Sequence, residues 1–260
     1  MIRSLAEAAP LAVLVAVPLF GLAIGSFLNV VIARLPERRS LWQPGSACPG
    51  CGVAIAWYDN VPVLSFLVLR GRCRACRMAI SWRYPLVELL TGAAFLSAYI
   101  AFGPTGRFLT ATLLLSALIA ITAIDLRLQL IPDAITLPGI LVGVLVNLGT
   151  GATPWLDSVV GALVGGGVFF VIILVQPAGM GGGDMKLGAM LGAFLGWEVL
   201  LFSLFVAVLV GGVLAGVLLA TGLRGRKDPV PFGPFLAFGG ATGLFWGERV
   251  VAWYVSGFGG

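Results

Sequence analysis

The sequence contains no histidine in its 260 residues and few charged residues of either sign. The missing imidazole excludes a Ser-His-Asp triad, a Cys-His pair and the helical H-E-x-x-H zinc site, because each needs that ring as base or ligand. Only 10% of the residues are charged against 59% that are hydrophobic, and the mean hydropathy is +1.05. Soluble domains carry more charge. The composition therefore predicts an integral membrane protein.

Two features of a signal peptide are missing near the first apolar run. The run has no small-x-small cleavage site after it, and Glu7 lies beside the single early Arg3, unlike the positively charged start of a signal peptide. We therefore expect a retained first span. The chain also has no internal repeat and no low-complexity linker.

Apolar runs of membrane-spanning length are abundant. About 20 apolar residues cross the hydrocarbon core, and the 37 glycines suit helices that pack closely in lipid. The sixth of the runs given below is short. If Trp197 and Glu198 form only a turn into the seventh run, the chain has seven spans. Otherwise we predict an all-α polytopic membrane protein with about eight transmembrane helices, near residues 9–31, 85–103, 108–125, 133–149, 156–176, 186–198, 200–221 and 233–255.

The positive charges predict the orientation of these spans. Of the 16 Lys and Arg residues, 8 lie between Arg34 and Arg83, where Glu37 and Asp59 are the only acids. The positive-inside rule places this segment in the cytosol and the N-terminus outside. With that orientation, 13 of the 16 basic residues fall on the cytosolic side. We therefore divide the chain into a first span (1–31), a cytosolic insert (32–84) and a transmembrane core (85–260).

All four cysteines lie in the insert, as two C-x-x-C pairs separated by 21 residues. Two such pairs supply four thiolates, the ligand set of a tetrahedral structural zinc site. A pair of disulfides is the alternative, which the reducing cytosol disfavours. Four protein ligands close the coordination shell, so the predicted zinc stabilises the small insert and takes no part in catalysis. The predicted ligands are Cys48, Cys51, Cys73 and Cys76.

Four carboxylates lie in or beside the predicted spans: Glu88, Asp125, Asp133 and Asp184. A charge within a span costs about 2.5 to 3.5 kcal/mol on insertion scales, so each invites a functional hypothesis. The predicted orientation puts Asp125 and Asp184, 59 residues apart, at the cytosolic ends of the third and sixth spans. Two carboxylates close together in a poorly solvated pocket share a proton. Such a pair can activate water against a peptide bond without histidine.

The same acids could instead have purely structural roles. Asp184 could cap the sixth helix, Asp133 could begin the fourth, and Asp125 could pair with Arg127 at the interface. Glu88 could be a buried hydrogen-bonding carboxylate or part of a second site. Beside Asp184, the glycines Gly181, Gly182 and Gly183 remove side-chain bulk, which would let an extended substrate backbone approach.

Several motifs together resemble the bacterial type IV prepilin peptidases, membrane aspartyl proteases with a GxGD motif. The resemblance covers nearly the whole chain. It rests on Gly25-Ser26-Phe27-Leu28-Asn29-Val30 with Arg34-Leu35-Pro36, on both cysteine pairs, and on the segment from Asp59 through Pro62 to Arg70-Gly71. It continues through Arg83-Tyr84-Pro85 with Glu88, Asp125 with Pro132-Asp133, Gly181-Gly182-Gly183-Asp184 with Lys186, and Pro231-Phe232-Gly233-Pro234-Phe235.

The resemblance implies a function for these residues. Asp125 and Asp184 would be the catalytic dyad, and Gly181, Gly182, Gly183 and Lys186 would lie at the substrate. The substrate would be the basic leader of a prepilin or pseudopilin, cut after a glycine at the cytosolic face of the bacterial inner membrane. Members with the cysteine insert commonly also methylate the new N-terminus with S-adenosylmethionine. No glycine-rich nucleotide-binding fingerprint assigns residues to that second activity here.

Two other functions fit parts of the sequence. A serine-lysine peptidase would use one of the two lysines, and Lys186 lies beside Asp184, but no serine is obviously placed for it. A zinc-dependent transporter or membrane scaffold would use the buried carboxylates for protons or ions. Against this, both acids lie near one predicted face with no polar series leading to the other side.

Overall fold

The computed structural model describes residues 11–176, 180–222 and 230–258. These residues form helices and no strands, apart from isolated bridges in the insert. The helices are α1 (Leu11–Arg34), α2 (Leu64–Val68), α3 (Arg83–Phe102), α4 (Gly106–Leu128), α5 (Asp133–Thr150), α6 (Trp155–Val175), α7 (Gly182–Leu195), α8 (Trp197–Ala220), α9 (Gly233–Thr242) and α10 (Glu248–Phe258). A 3-10 turn covers Trp57–Asn60, and a π turn, Gly243–Gly247, joins α9 to α10 without a break.

Six described helices, α1, α3, α4, α5, α6 and α8, are long and apolar enough to cross a membrane. In lipid each backbone group must find its partner within the segment, which favours helices for such apolar runs. The sixth predicted span corresponds to α7, which has 14 residues. The eighth corresponds to the continuous run α9–π turn–α10. The predicted all-α membrane fold, with an insert after the first helix, is confirmed. The predicted count of about eight spans is approximate, because six described helices reach spanning length.

By its internal contacts the chain divides into two units, Met1–Pro104 and Thr105–Gly260. In the first unit, α1 packs along α3. The contact is close because glycine faces backbone: a Cβ on Gly21 would lie 2.9 Å from the Cα of Gly92, and a Cβ on Gly25 would lie 2.7 Å from the Cα of Glu88. Small residues let the two helix backbones approach in this way. The insert, between α1 and α3, belongs to this unit.

The second unit is built around α7. Leu187, Met190 and Leu191 of this helix are fully buried, and they pack in one core with apolar side chains of α4, α6, α8 and α9. Four hydrogen-bonding backbone groups at each helix end have no partner within the helix, and the C-terminal end of α7 is partly satisfied by Asn147 of α5. The side-chain amide of Asn147 donates to the carbonyl groups of Ala193 and Phe194. The short α7 therefore packs against α4, α5, α6, α8 and α9.

Glycine also brings α6 and α7 together. Gly161 and Gly165 of α6 face Gly192 and Gly188 of α7, so that each helix presents a G-x-x-x-G pair to the other. A Cβ on Gly161 would meet the carbonyl oxygen of Gly192, and a Cβ on Gly165 would meet that of Gly188. These glycines therefore serve packing within the bundle. In contrast, a Cβ on Gly167 would meet no atom within 4 Å, so this glycine takes no part in the contact.

Candidate functional site

Asp125 lies in the last turn of α4 and is buried, with 4% of its surface exposed. Its Oδ2 accepts a hydrogen bond of 3.0 Å from the backbone N–H of Gly233, in the first turn of α9. Arg127, the partner considered for Asp125, makes no ion pair with it in the described part of the chain. The carboxylate is therefore held by a backbone group from a distant segment and not by a neighbouring cation.

Asp184 lies in the first turn of α7. Its backbone N–H donates to the carbonyl oxygen of Gly181 at 3.1 Å, and its Oδ2 accepts the N–H of Gly181, also at 3.1 Å. Gly181 is the residue that precedes the helix, so Asp184 stabilises the helix start from within the first turn. This contact uses one carboxylate oxygen.

The structure brings the two acids together. Asp184 lies close enough to Asp125 for the charge of Asp125 to act on it. Asp125 comes from the end of α4 and Asp184 from the start of α7, and each accepts one N–H from a glycine at or beside the start of a helix. Helix starts carry partial positive charge, which favours carboxylates there. Two acids and two glycine N–H donors thus form one site within the second unit, in which Asp125 is buried and Asp184 is partly exposed.

The glycines before Asp184 differ in their surroundings. A Cβ on Gly183 would lie 2.9 Å from the Cβ of Ile131, so this glycine is required by packing. A Cβ on Gly182 would meet nothing within 4 Å, and the space beside it is open. Gly182 is therefore the position at which another chain could approach the start of α7 most closely.

Lys186 forms an ion pair with Asp133, with 2.6 Å between its Nζ and Oδ2 of the carboxylate. Asp133 is in the first turn of α5, where an acid is favourable. The pair joins the starts of α5 and α7, and Lys186 is two residues after Asp184. The role of Lys186 at a substrate stays a prediction.

The four cysteine sulfurs form one cluster in the insert. They all lie within 4.8 Å of one another, and none of the four cysteines forms a disulfide. The Sγ atoms of Cys48 and Cys76 are 3.7 Å apart. Zinc–sulfur bonds of about 2.3 Å give a tetrahedron with edges of about 3.8 Å, whereas a disulfide needs about 2.05 Å. The cluster therefore fits a structural zinc ion.

Backbone groups favour the thiolate of Cys48, whereas at Cys76 the lowering effect of the Met78 N–H is outweighed by burial and the neighbouring cysteines, which raise the pKa of that thiol to about 11. The N–H groups of Cys51 and Gly50 lie at the sulfur of Cys48 and lower the pKa of its thiol to about 6. Zinc binds the thiolate form, so this geometry prepares a ligand. The two C-x-x-C turns have the same form, since Gly52 donates its N–H to the carbonyl of Cys48 and Arg77 donates to that of Cys73.

Comparison with known proteins identifies the family. Residues 19–102 match the bacterial peptidase A24 N-terminal domain, and residues 112–216 match the type IV leader peptidase family. A protein of Aeromonas salmonicida named prepilin leader peptidase/N-methyltransferase is 41% identical over 268 residues, which cover 92% of each chain. A protein of Burkholderia pseudomallei with the same name is 41% identical over 281 residues, covering 93% of this chain and 91% of the relative.

The chain belongs to the type IV leader peptidase family. A relative of the same name from Myxococcus xanthus is 46% identical over 213 residues, which cover 80% of this chain and 64% of the relative. No solved structure matches the chain. The family and the six candidate spans together make this a multi-pass membrane enzyme.

Two features of this leader peptidase could not be assigned a role from the sequence. The first is Gly233, which appeared only as part of the P-F-G-P-F motif, with no sign that its N–H would reach Asp125. The second is a junction between the insert and α3, where the N–H of Val63 donates to Oε2 of the buried Glu88 at 2.7 Å. Val63 has φ 59°, a rare value for a β-branched residue. Glu88 is thus a hydrogen-bonding carboxylate that ties the insert to α3.

An ion pair between Arg74 and Asp59 also stabilises the insert. Arg74 donates two hydrogen bonds to Asp59, at 2.8 Å and 2.6 Å, in the bidentate form that suits a guanidinium and a carboxylate. Arg74 lowers the pKa of Asp59 through these bonds. At pH values above the ordinary pKa of an aspartate, the pair therefore stabilises the folded insert. This stabilisation is lost as the pH falls through the lowered pKa of Asp59.

Proposed function

We propose that this leader peptidase is an aspartic endopeptidase that removes the leader of prepilins or pseudopilins, with Asp125 and Asp184 as its catalytic pair. The observation that carries the proposal is their convergence: two acids from separate helices lie within electrostatic reach of each other, in a chain that has no histidine. The names of the relatives support the substrate class.

The chemistry follows from two carboxylates that share one proton. The ionised carboxylate takes a proton from a water molecule as the water oxygen attacks the scissile carbonyl, while the protonated carboxyl gives its proton to the carbonyl oxygen, so that a gem-diol forms. The carboxyl that gained the water's proton then gives it to the leaving nitrogen, and the C–N bond breaks. The second carboxyl takes back its proton as the new carboxyl group forms, so the pair returns to its starting state.

The glycine N–H donors suit this mechanism. Each fixes one oxygen of one carboxylate, so that the side chains are oriented before a substrate arrives, which lowers the cost of reaching the productive geometry. The open space beside Gly182 supports entry of an extended peptide next to Asp184.

We infer that the site faces the cytosol, as the distribution of basic residues predicts. A basic leader remains on the cytosolic face, and its attached apolar helix could lie in the bilayer beside the enzyme. The same rule predicts that the insert, with its proposed structural zinc, is cytosolic. Cys48, Cys51, Cys73 and Cys76 would hold that zinc, whose role is to stabilise the fold of the insert.

We further propose that the enzyme methylates the new N-terminus with S-adenosylmethionine, on the basis of the names of its relatives. The described residues contain no strand followed by a glycine-rich loop, the usual cradle for a nucleotide. The described residues therefore single out no binding site for the methyl donor.

Asparagine substitution tests the catalytic pair. Asp125→Asn and Asp184→Asn keep the shape of each side chain but cannot act as acid or base, so each variant is expected to lose at least about 1,000-fold of the cleavage rate. The measurement is mass spectrometry of a co-expressed prepilin, which reports the cleavage position and any added methyl group together. Asp157→Asn, at the start of α6, is the matched control and should cleave normally.

The outcomes separate the proposed mechanism from its alternatives. If Asp125→Asn and Asp184→Asn both process the prepilin at the normal rate, the aspartate mechanism is wrong. A serine-lysine peptidase would instead lose cleavage in Lys186→Met while tolerating both asparagine variants. An ion flux in reconstituted vesicles that the same asparagine variants abolish, without any prepilin cleavage, would favour a transporter.

A further inference from the structure

Gly233 makes the closest described approach to Asp125. Its backbone N–H donates to Oδ2 at 3.0 Å, and both residues are buried. A Cβ added to Gly233 would lie 2.6 Å from Oδ2 and 3.1 Å from Cγ of the same carboxylate. The space that a side chain at residue 233 would need is thus occupied by Asp125 itself.

The backbone conformation does not explain why this residue is glycine. The φ of Gly233 lies outside the left-handed region that disfavours other residues. An alanine could adopt the same backbone angles, and the atoms that its Cβ would meet most closely are those of the Asp125 side chain. The glycine is required for the close approach of an N–H donor to this acid.

The first turn of α9 leaves this donor free for the acid. Phe235 and Leu236 donate their N–H groups to the carbonyl of Phe232, and Pro234 has no N–H to give. Gly233 is the residue of this turn whose N–H is directed at Asp125.

The rest of α9 fixes where that turn lies. Leu236 is fully buried, Gly239 lies against the backbone of Ser203 in α8, and Gly240 lies against Leu191 of α7 and Leu118 of α4. The donor is therefore held in place relative to both helices that carry the acids. Because Oδ2 is occupied, Oδ1 of Asp125, which accepts no hydrogen bond from the described residues, is the oxygen left for the reaction.

We propose that Gly233 is a positioning residue for peptide cleavage, which holds the carboxylate of Asp125 through its N–H and makes room for it by lacking a side chain. The inference rests on the proposed aspartate mechanism. Gly233 touches no reacting atom, and it acts through the orientation of Asp125. A displacement of a catalytic group by about 1 Å can cost about 100-fold in rate.

Gly233→Ala tests the kinetic consequence. The variant is expected to lower kcat for prepilin cleavage by about 100-fold, with KM within about 3-fold of wild type because the open face beside Gly182 is untouched. Phe238→Ala, in the same helix, is the matched control, since this side chain is exposed. It should keep the wild-type kcat. An equal loss of kcat in both variants would show that looser packing of α9 is the cause, and the proposal would fall.

A double-mutant cycle tests the contact without any activity. In a chain with Asp125 intact, Gly233→Ala should lower the thermal midpoint by about 2–4 °C. In combination with Asp125→Ala, which removes Cγ and both oxygens, the same change should lower it by less than about 1 °C. Independent, additive effects of the two substitutions would contradict the proposed contact.

The proposed function and the positioning role of Gly233 can fail separately. If Asp125→Asn still cleaves, the proposed function is wrong, whatever Gly233→Ala does. If Asp125→Asn is inactive but Gly233→Ala cleaves with the wild-type kcat, the catalytic pair stands and the positioning role of Gly233 is refuted. If Gly233→Ala does not accumulate in membranes in the intact background but does so with Asp125→Ala, the steric part of the proposal is supported directly.

Discussion

Gly52 and Arg77 occupy equivalent positions in the two cysteine turns, yet only one of them is glycine. Each residue follows the second cysteine of its pair, with φ +70° at Gly52 and 60° at Arg77. This left-handed conformation costs a residue with a side chain about 1–2 kcal/mol, whereas glycine adopts it freely. The second turn therefore carries a strain that the first does not.

Replacing Arg77 by glycine should stabilise the insert. Relief of the left-handed conformation is partly offset by the greater freedom of glycine in the unfolded chain, so we expect a net gain of about 0.5–1 kcal/mol. The opposite change, Gly52→Ala, should destabilise the insert by a similar amount. Thermal unfolding of the purified protein in detergent measures both. Equal effects of the same sign would show that the two turns are not equivalent.

At the residue level, sequence and structure agree where the chemistry of a side chain is distinctive. Four cysteines in two short pairs indicate their own cluster, and the structure brings their sulfurs together. Asp125 and Asp184 could be singled out because charge is rare in this chain. Gly233 could not, because its contribution is a backbone N–H and an absent side chain, and neither leaves a mark in the sequence that distinguishes it from other glycines.

At the level of helices, α6 and α7 depend on their paired glycines. A Cβ on Gly192 would overlap the carbonyl of Gly161, with backbone on both sides and no flexible side chain to move away. Overpacking of this kind costs about 1–3 kcal/mol. Since α7 carries Asp184 at its other end, a shift of this helix also moves the acid.

Gly192→Ala should therefore lower both stability and cleavage. We expect a loss of about 1–3 kcal/mol in the free energy of unfolding, together with a lower kcat. Gly167→Ala is the matched control on α6, because the space beside Gly167 is open. Thermal unfolding and prepilin cleavage are measured on the same preparations. A Gly192→Ala protein as stable as the control would mean that α6 and α7 do not touch at these glycines.

The cysteine cluster predicts the zinc content of the protein. Purified protein should contain about one zinc per chain, and Cys48→Ser or Cys73→Ser should abolish it, because three thiolates and a hydroxyl hold zinc poorly. Ser46→Ala, in the same turn, should keep the metal. Elemental analysis measures the content. Full zinc occupancy in either cysteine variant would exclude a four-thiolate site.

Helix type and order could be predicted well because hydrophobic length is a strong signal in a membrane protein. The start of α5 at Asp133 and of α9 at Gly233 agree with the predicted spans. The length of α7 was harder to predict, because residues 187–195 of this 14-residue helix are largely buried by protein. A helix surrounded by protein needs no full membrane-spanning length, and hydropathy alone does not distinguish it from a span.

For the whole molecule, the decisive untested prediction is orientation. All four cysteines of the chain are in the insert, so the native thiols report its side of the membrane. A membrane-impermeant maleimide, applied with a zinc chelator, should label inverted membrane vesicles and leave intact spheroplasts unlabelled. The Cys48→Ser and Cys73→Ser protein, which retains Cys51 and Cys76, serves as the partial-labelling control. Labelling of spheroplasts alone would reverse the proposed topology.

The contact between Gly233 and Asp125 has a consequence for the order in which the enzyme is made. A nascent chain that has left the ribosome as far as α7 already carries both acids, but the segment that orients Asp125 has not yet been synthesised. Proteolytic competence would then begin only when the C-terminal helices enter the bilayer. The enzyme would in this way stay harmless to its neighbours throughout its own biogenesis.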